Sequence, residues 1–386
     1  LVDTPERAAI RDAVRSICDR FDDEYWRNLD QSCTFPYEFS KAIAEAGWLG
    51  IAMPTEYGGA GLGVTEACIM MQTFGSSAGA FAACSTIHIN MFGPHSIVVH
   101  GSDDQRRRML PPLIRGDERS CFGVTEPDAG LDTTKLRTRA VREGNHYVVN
   151  GRKLWTSTAQ EATKILLLAR TTPIEECRKP TDGLSLFYTD FDREHIEARV
   201  IHKIGRAAVD SNAVFIDGLR IPVEDRIGEE GNGFRYILDS LNPERILNAA
   251  EAIGLGRRAL AKAAVYANER VVFNRPIGQN QSIQHPLAES WAELAAAELM
   301  MLRAAHLYDA GKPCGAEANA SKFLAADAAF HACDRAVRTH GGIGYASEYN
   351  VERYFREAVG TRLAPVSREL ILCYIAERVL GLPKSY

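Results

Sequence analysis

No stretch of the chain stays apolar for the roughly eighteen residues that a bilayer-spanning helix needs, so a membrane span is not expected. Cysteine is sparse: nine in 386 residues, an odd number, with no Cys-x-x-Cys pair. That excludes a fully paired disulfide framework, offers no metal-ligand pair, and points to free thiols in a cytoplasmic, bacterial-type or other reducing compartment. Charge of one sign is lacking too, since 45 Lys and Arg against 50 Asp and Glu leave a net −5. No nucleic-acid partner follows from that balance, and the short clusters Gln105-Arg106-Arg107-Arg108 and Gly256-Arg257-Arg258 read as solvated helix faces. Fixed-period repeats and low-complexity tracts are missing, which sets aside solenoids and disordered tails. Helix–strand alternation of the βαβ kind is missing as well. The glycines at Gly59, Gly61 and Gly63 and at Gly341, Gly342 and Gly344 therefore read as turns, not as a dinucleotide fingerprint. Leu1 to Arg7 reads as a helix start without a charged-then-apolar leader, and Pro383-Lys384-Ser385-Tyr386 matches no lipidation or address signal.

What is present is enough chain for several packed layers, 46% of it apolar and 25% charged. From Pro5 to about Leu113 apolar residues recur at helical spacing, broken by the glycine-rich turn from Tyr57 to Gly63. Between about Ser120 and Ile227 the period changes to two, as in His146-Tyr147-Val148-Val149 and Leu184-Ser185-Leu186-Phe187-Tyr188, with Asn150-Gly151 as a hairpin signal. After Gly231-Asn232-Gly233 the chain is rich in Ala, Leu, Glu and Arg and reads as helical again. The order α, β, α predicts an α+β fold with domains over residues 1–118, 119–229 and 230–386.

Four segments carry more than a secondary-structure signal. They are Cys121-Phe122-Gly123-Val124-Thr125-Glu126-Pro127-Asp128-Ala129-Gly130-Leu131-Asp132, Asn150-Gly151-Arg152-Lys153-Leu154-Trp155-Thr156-Ser157, Tyr266 to Phe273 with Gln281, and His340-Gly341-Gly342-Ile343-Gly344-Tyr345. In order and spacing they resemble the signature stretches of the acyl-CoA dehydrogenase family, and the resemblance spans nearly the whole chain. It implies a helical N-terminal domain, a β-barrel or sandwich domain and a C-terminal four-helix bundle around FAD. The chemistry of the residues agrees, because Thr125-Glu126-Pro127 followed by Asp128-Ala129-Gly130 is a turn whose free N–H groups and hydroxyls suit the oxygens of a flavin ring or a pyrophosphate.

By resemblance, Phe122, Val124 and Thr125 face the flavin, Trp155 covers one face of it, and the Ser157 hydroxyl bonds near its N5. Arg270, Phe273 and Gln281 resemble positions that reach across a subunit interface to the pyrophosphate and adenine end, with Arg338 and Gly342 beside them. A homo-oligomer, a dimer of dimers, is implied. Two departures stand out. Leu131 occupies the place of the family's usual Ser, and Arg338 that of its common Gln, where a cation still serves a pyrophosphate.

Abstracting a proton α to a thioester needs a carboxylate beside Cα and donors aimed at the carbonyl oxygen. Many family members carry that base in a Glu-Gly-Thr segment near the C-terminus, but here Pro365 occupies the glutamate's place. A subset resembling the isovaleryl-CoA and long-chain enzymes carries the base on a helix just before an Arg. Asn242-Pro243-Glu244-Arg245 matches, so Glu244 is the expected base, in the first turn of a helix opened by Asn242 and Pro243. Helix-dipole preference alone would also favour a Glu at that place. Proline has no N–H, so the Val366 N–H is expected to polarise the substrate carbonyl, with Asn242, Arg245 and Pro365 around the acyl-CoA. His88 and His95 are expected on one helix along the acyl pocket, Glu369 as a helix-start acid, and His340 as a packed residue beside the double glycine. The implied activity is α,β-dehydrogenation of an acyl-CoA, with an electron-transferring flavoprotein as acceptor. A flavin-dependent oxidase or monooxygenase on the same scaffold, and a non-catalytic acyl-CoA-binding or assembly module, are the competing readings.

Overall fold

A computed structural model describes residues 4–385, so the start expected over Leu1–Asp3 and the final Tyr386 lie outside the described residues. The first helix begins where Thr4 accepts a hydrogen bond from the Arg7 N–H at 3.3 Å and Pro5 takes the first helical position, where its missing N–H costs nothing. Seven helices form the N-terminal layer: α1 (Pro5–Cys18), α2 (Asp23–Ser32), α3 (Tyr37–Glu45), α4 (Val64–Gly75), α5 (Ala80–Phe92), α6 (His95–His100) and α7 (Asp103–Arg115). Helices α4 and α5 are apolar nearly all round, and almost every residue in them is buried, as a helix enclosed by other helices requires.

The chain then turns to strands β1 (Ser120–Gly123), β2 (Arg139–Glu143), β3 (His146–Ser157), β4 (Lys164–Arg170), β5 (Leu184–Asp190), β6 (Ile196–Val200), β7 (Ser211–Pro222) and β8 (Arg226–Ile227). They form one eight-stranded sheet in the order β6-β7-β3-β2-β4-β5-β8, with β1 parallel to β4. The hairpin from β2 to β3 turns at Gly144-Asn145, with Gly144 at φ +65°, and not at the expected Asn150-Gly151. Asn150 and Gly151 lie inside β3, where the register against β7 shifts between Val149 and Gly151. An Asn-Gly pair here marks a bulge.

The C-terminal part consists of α8 (Gly233–Glu269), the short strands β9 (Val271–Val272) and β10 (Arg275–Pro276), α9 (Gln281–Asp309), α10 (Gly315–His340), α11 (Val351–Leu363) and α12 (Arg368–Arg378). Helix α8 begins at Gly233, so Asn242 and Pro243 do not open it and Glu244 sits well inside it. Entry is fixed by packing: a Cβ at Gly233 would lie 2.4 Å from the Leu186 nitrogen of β5, an approach only glycine allows. One core cluster runs through α1, α4 and α5 into α8, α9 and α10. Asp309, at the end of α9, caps α4 by accepting from the Val64 N–H at 2.7 Å and the Thr65 N–H at 3.0 Å. The two helical layers are thus one body, and the sheet keeps a separate core of its own around Val149, Leu167, Phe187 and Val214.

Candidate active site

Where α5, the sheet and α8 meet, a cavity of about 400 Å³ opens. Phe122, Val124, Thr125, Trp155, Ser157, Glu244, Arg245, Pro365 and Val366 all line it, although they come from four separate stretches of sequence. Helix α8 contributes one face, on which Ile237, Leu241, Glu244, Asn248 and Glu251 follow each other at spacings of three and four.

Glu244 is 7% exposed, and its carboxyl makes no hydrogen bond to any described residue. Burial pushes its pKa up to about 7; His88 and Arg245 oppose that rise, while Glu251 adds to it. A buried carboxyl without a partner, facing open space, is a group held ready for a proton from outside the protein.

The sheet side is built around the buried pair Lys153–Glu126. Lys153 Nζ donates to Glu126 Oε1 at 2.8 Å and to the carbonyls of Val124 at 3.1 Å and Leu168 at 2.8 Å. Glu126 in turn accepts from the N–H groups of Arg137 and Thr138. These bonds pin the Val124–Thr125 segment, whose carbonyl at Thr125 accepts from the Leu154 N–H at 2.8 Å. The Thr125 N–H and hydroxyl are left without an acceptor among the described residues, so both are available to the cavity.

Trp155 stands on a bulge: β3 places Leu154 and Trp155 opposite the single β7 residue Ala213, between the pairs Lys153–Val214 and Thr156–Asn212. Its φ is +61°, rare for a bulky residue and worth about 1–3 kcal/mol of strain. The indole is 55% exposed at the cavity wall. A large aromatic face held in a strained backbone and left uncovered fits a planar ring cofactor. Beside it, Ser157 Oγ accepts from Arg206 Nη2 at 3.1 Å, which occupies a lone pair and frees the Ser157 proton for an acceptor in the cavity.

The fourth wall is the turn between α11 and α12. Ala364, Pro365 and Val366 line the cavity, and the Val366 N–H has no acceptor among the described residues. Lys322 of α10, 1% exposed and lowered to about 8 by burial, donates to the Val366 carbonyl at 2.7 Å. Asp327 of the same helix pairs with Arg362 and Arg368, one on each side of the turn. Ser367 caps α12, with Glu369 in its first turn.

Other expected residues lie elsewhere. Arg270 and Gly342 line a second, more open cavity with Tyr266 and His340. Phe273 is 94% exposed, Gln281 is exposed, and Arg338 is exposed and paired with Asp334 at 3.4 Å. Asn242 lines neither cavity but accepts from Arg245 Nη1 at 3.2 Å. His340 is packed, stacked on Tyr266 and bonded to the Ala336 carbonyl. His88 and His95 are on two helices, α5 and α6, and only His88 lines the main cavity; His95 bonds the Tyr308 hydroxyl.

Not singled out from sequence were Asn248, Glu251 and Arg206, which line the cavity, and Lys322, which lies behind the turn. Glu251 forms a short hydrogen bond to His88 Nδ1. Burial opposes the charged imidazolium, but the Glu251 carboxylate outweighs it and holds the His88 pKa above its ordinary value. An acid within Ala249-Ala250-Glu251-Ala252-Ile253, seven residues past Glu244, was the available signal.

Comparison with known proteins agrees with this architecture throughout. Three family descriptions match in succession: acyl-CoA dehydrogenase N-terminal domain over residues 4–117, middle domain over 121–219 and C-terminal domain over 231–380. The chain is 34% identical to acyl-CoA dehydrogenase FadE12 of Mycobacterium tuberculosis, over all of this chain and 98% of that one. It is 32% identical to the 3-(aryl)acrylate reductase of Clostridium sporogenes over 92% of this chain and 93% of the relative. Among solved structures, glutaryl-coenzyme A dehydrogenase in complex with glutaryl-CoA superposes with a TM-score of 0.95 at 29% identity, covering 100% of this chain and 98% of the other. Butyryl-CoA dehydrogenase from Megasphaera elsdenii gives 0.93 at 25% identity, covering 98% of this chain and 99% of that one. With its three domains matched end to end, the chain belongs to the acyl-CoA dehydrogenase family of flavin-dependent oxidoreductases.

Proposed function

We propose that the protein removes a proton from Cα and a hydride from Cβ of an acyl-CoA, giving the trans-2-enoyl-CoA, with Glu244 as the base and FAD as the cofactor. The observation that carries this is Glu244 itself, a buried carboxyl without a hydrogen bond in the same cavity as a free Val366 N–H. Glu244 takes the Cα proton, and its raised pKa matches the task of a base working near neutral pH. The Val366 N–H donates to the thioester carbonyl as enolate charge develops there, in the place where Pro365 has nothing to donate. Lys322 keeps that donor in position by holding the Val366 carbonyl on the other side of the residue.

Trp155 covers a face of the cofactor, the Thr125 N–H and Ser157 hydroxyl donate to its ring heteroatoms, and Phe122 and Val124 exclude water. Bound there, FAD supplies the acceptor for the hydride from Cβ. Arg270, Phe273, Gln281, Arg338 and Gly342 serve the pyrophosphate and adenine end across an interface between copies of the chain, with an electron-transferring flavoprotein as the onward acceptor. Anaerobic titration of the flavin-loaded protein with a panel of acyl-CoAs tests the reading. Bleaching of the yellow colour with formation of a 2-enoyl product is expected. Rapid turnover with oxygen alone, or no bleaching by any thioester, would contradict it.

A further inference from the structure

On its α8 side the cavity wall that continues past Glu244 is polar where an alkyl tail would want it apolar. On α8, Asn248 and Glu251 follow Glu244 on the same face, and a rise of 1.5 Å per residue puts them about 6 Å and about 10 Å beyond the base. From α5, Ser85 and His88 line the same cavity. Asn248 is 5% exposed, and its Oδ1 has no hydrogen-bond partner among the described residues. Leaving such an acceptor dry against methylene groups forfeits its hydration with nothing in return. Glu251, 1% exposed, and His88 bond each other, so that pair closes its charge on itself and asks for no counter-ion.

We propose that the acyl group this enzyme takes carries a neutral hydrogen-bonding substituent, a hydroxyl in the simplest case, a few bonds beyond the reacting carbons. The inference rests on the dehydrogenase reading above. A hydroxyl there donates to Asn248 Oδ1 and accepts from Asn248 Nδ2 or the His88 ring, satisfying groups that an alkyl chain strands. A carboxylate cannot donate to Asn248 Oδ1 and would meet the Glu251 carboxylate. Arg206, whose Nε also has no acceptor among the described residues, is the group that would favour an acid instead.

The test compares kcat/KM of the flavin-loaded enzyme, with an artificial electron acceptor and without oxygen, on three matched series: butyryl-, pentanoyl- and hexanoyl-CoA, their ω-hydroxy forms and their ω-carboxy forms. The ω-hydroxy thioester is expected to exceed its alkyl partner by at least about 10-fold at one chain length, as a site with polar groups to satisfy discriminates against an analogue lacking the partner. In Asn248→Val that ratio should fall toward one. Both thioesters are read on the same preparation, so poor folding would lower both rates and leave their ratio. Preference for the alkyl series at every length, preference for the carboxy series, or an unchanged ratio in Asn248→Val overturns the inference while leaving the dehydrogenase reading intact. If no series bleaches the flavin, the dehydrogenase reading fails and this inference falls with it.

Discussion

Glu244 pairs a cost with a use. Its pKa of about 7 arises first from burial, so the ionised carboxylate exists at the expense of folded-state stability. In the proposed role of base it must be deprotonated, and kcat/KM should rise with pH through about 7 and level off above it. Glu244→Gln should slow anaerobic flavin bleaching by at least about 10²-fold, and bleaching as fast as in the parent would remove Glu244 from the mechanism. Stability should move the other way. The folded pKa lies above the unfolded value of about 4.3, so the protonated carboxyl's contribution is fully present below that value and lost as pH rises through about 7. At pH about 8, Glu244→Gln should therefore be more stable than the parent by roughly 1–3 kcal/mol, an advantage that shrinks as pH falls toward about 4. Thermal melts at several pH values check the sign. The missing acid at Pro365 turned attention in the sequence to Glu244, which the structure places buried in the cavity wall. Its neighbours were not legible there, because His88 meets Glu251 across 163 positions of chain and helical period cannot say which face of α8 meets which helix.

At the scale of elements, the α, β, α order was readable because the period changes from 3.6 to 2 and back over long stretches. Turn and cap chemistry misled at two points. Asn242-Pro243 resembles a helix start, yet packing of Gly233 against β5 starts α8 earlier and carries the proline inside it. Asn150-Gly151 resembles a hairpin turn, yet β3 continues through it, because β7 pairs with β3 on both sides of that point while β2 reaches as far as Asn150. Tertiary pairing outweighed local signals in each case. The same packing fixes where Glu244 sits. Helix α8 crosses α4 at Gly254 and Gly75, so closely that a Cβ at Gly254 would lie 2.5 Å from the Gln72 carbonyl oxygen and 2.8 Å from the Gly75 Cα. Backbone at that distance cannot yield as a side-chain end would. Alanine is the better helix former by about 1 kcal/mol, so propensity alone predicts that Gly254→Ala stabilises. Overpacking of about 1–3 kcal/mol should more than cancel that gain. A lowered denaturation midpoint with unchanged denaturant dependence is expected, and a raised midpoint would show that the crossing has room.

For the whole molecule, the question is what covers the second cavity. Arg270 and Gly342 line it, with Val272 and Ile343 beside them. Next in sequence to those apolar rim residues, Phe273 is 94% exposed and, two beyond Ile343, Tyr345 is 88% exposed. Aromatic rings so bare around a recess are costly in water and suit a surface that another chain closes. A flavin whose ring sits in the main cavity of one copy and whose adenine end is covered by the other would make cofactor retention depend on assembly. Sedimentation of the parent protein should then show more than one chain per particle, with flavin near one per chain. The double variant Phe273→Asp with Tyr345→Asp should shift toward the monomer and lose flavin on gel filtration, while far-ultraviolet circular dichroism stays that of the parent, since neither ring is part of a core. A monomeric parent that keeps its full flavin would break the link between assembly and cofactor, and would require the pyrophosphate and adenine to be held by residues of one chain alone.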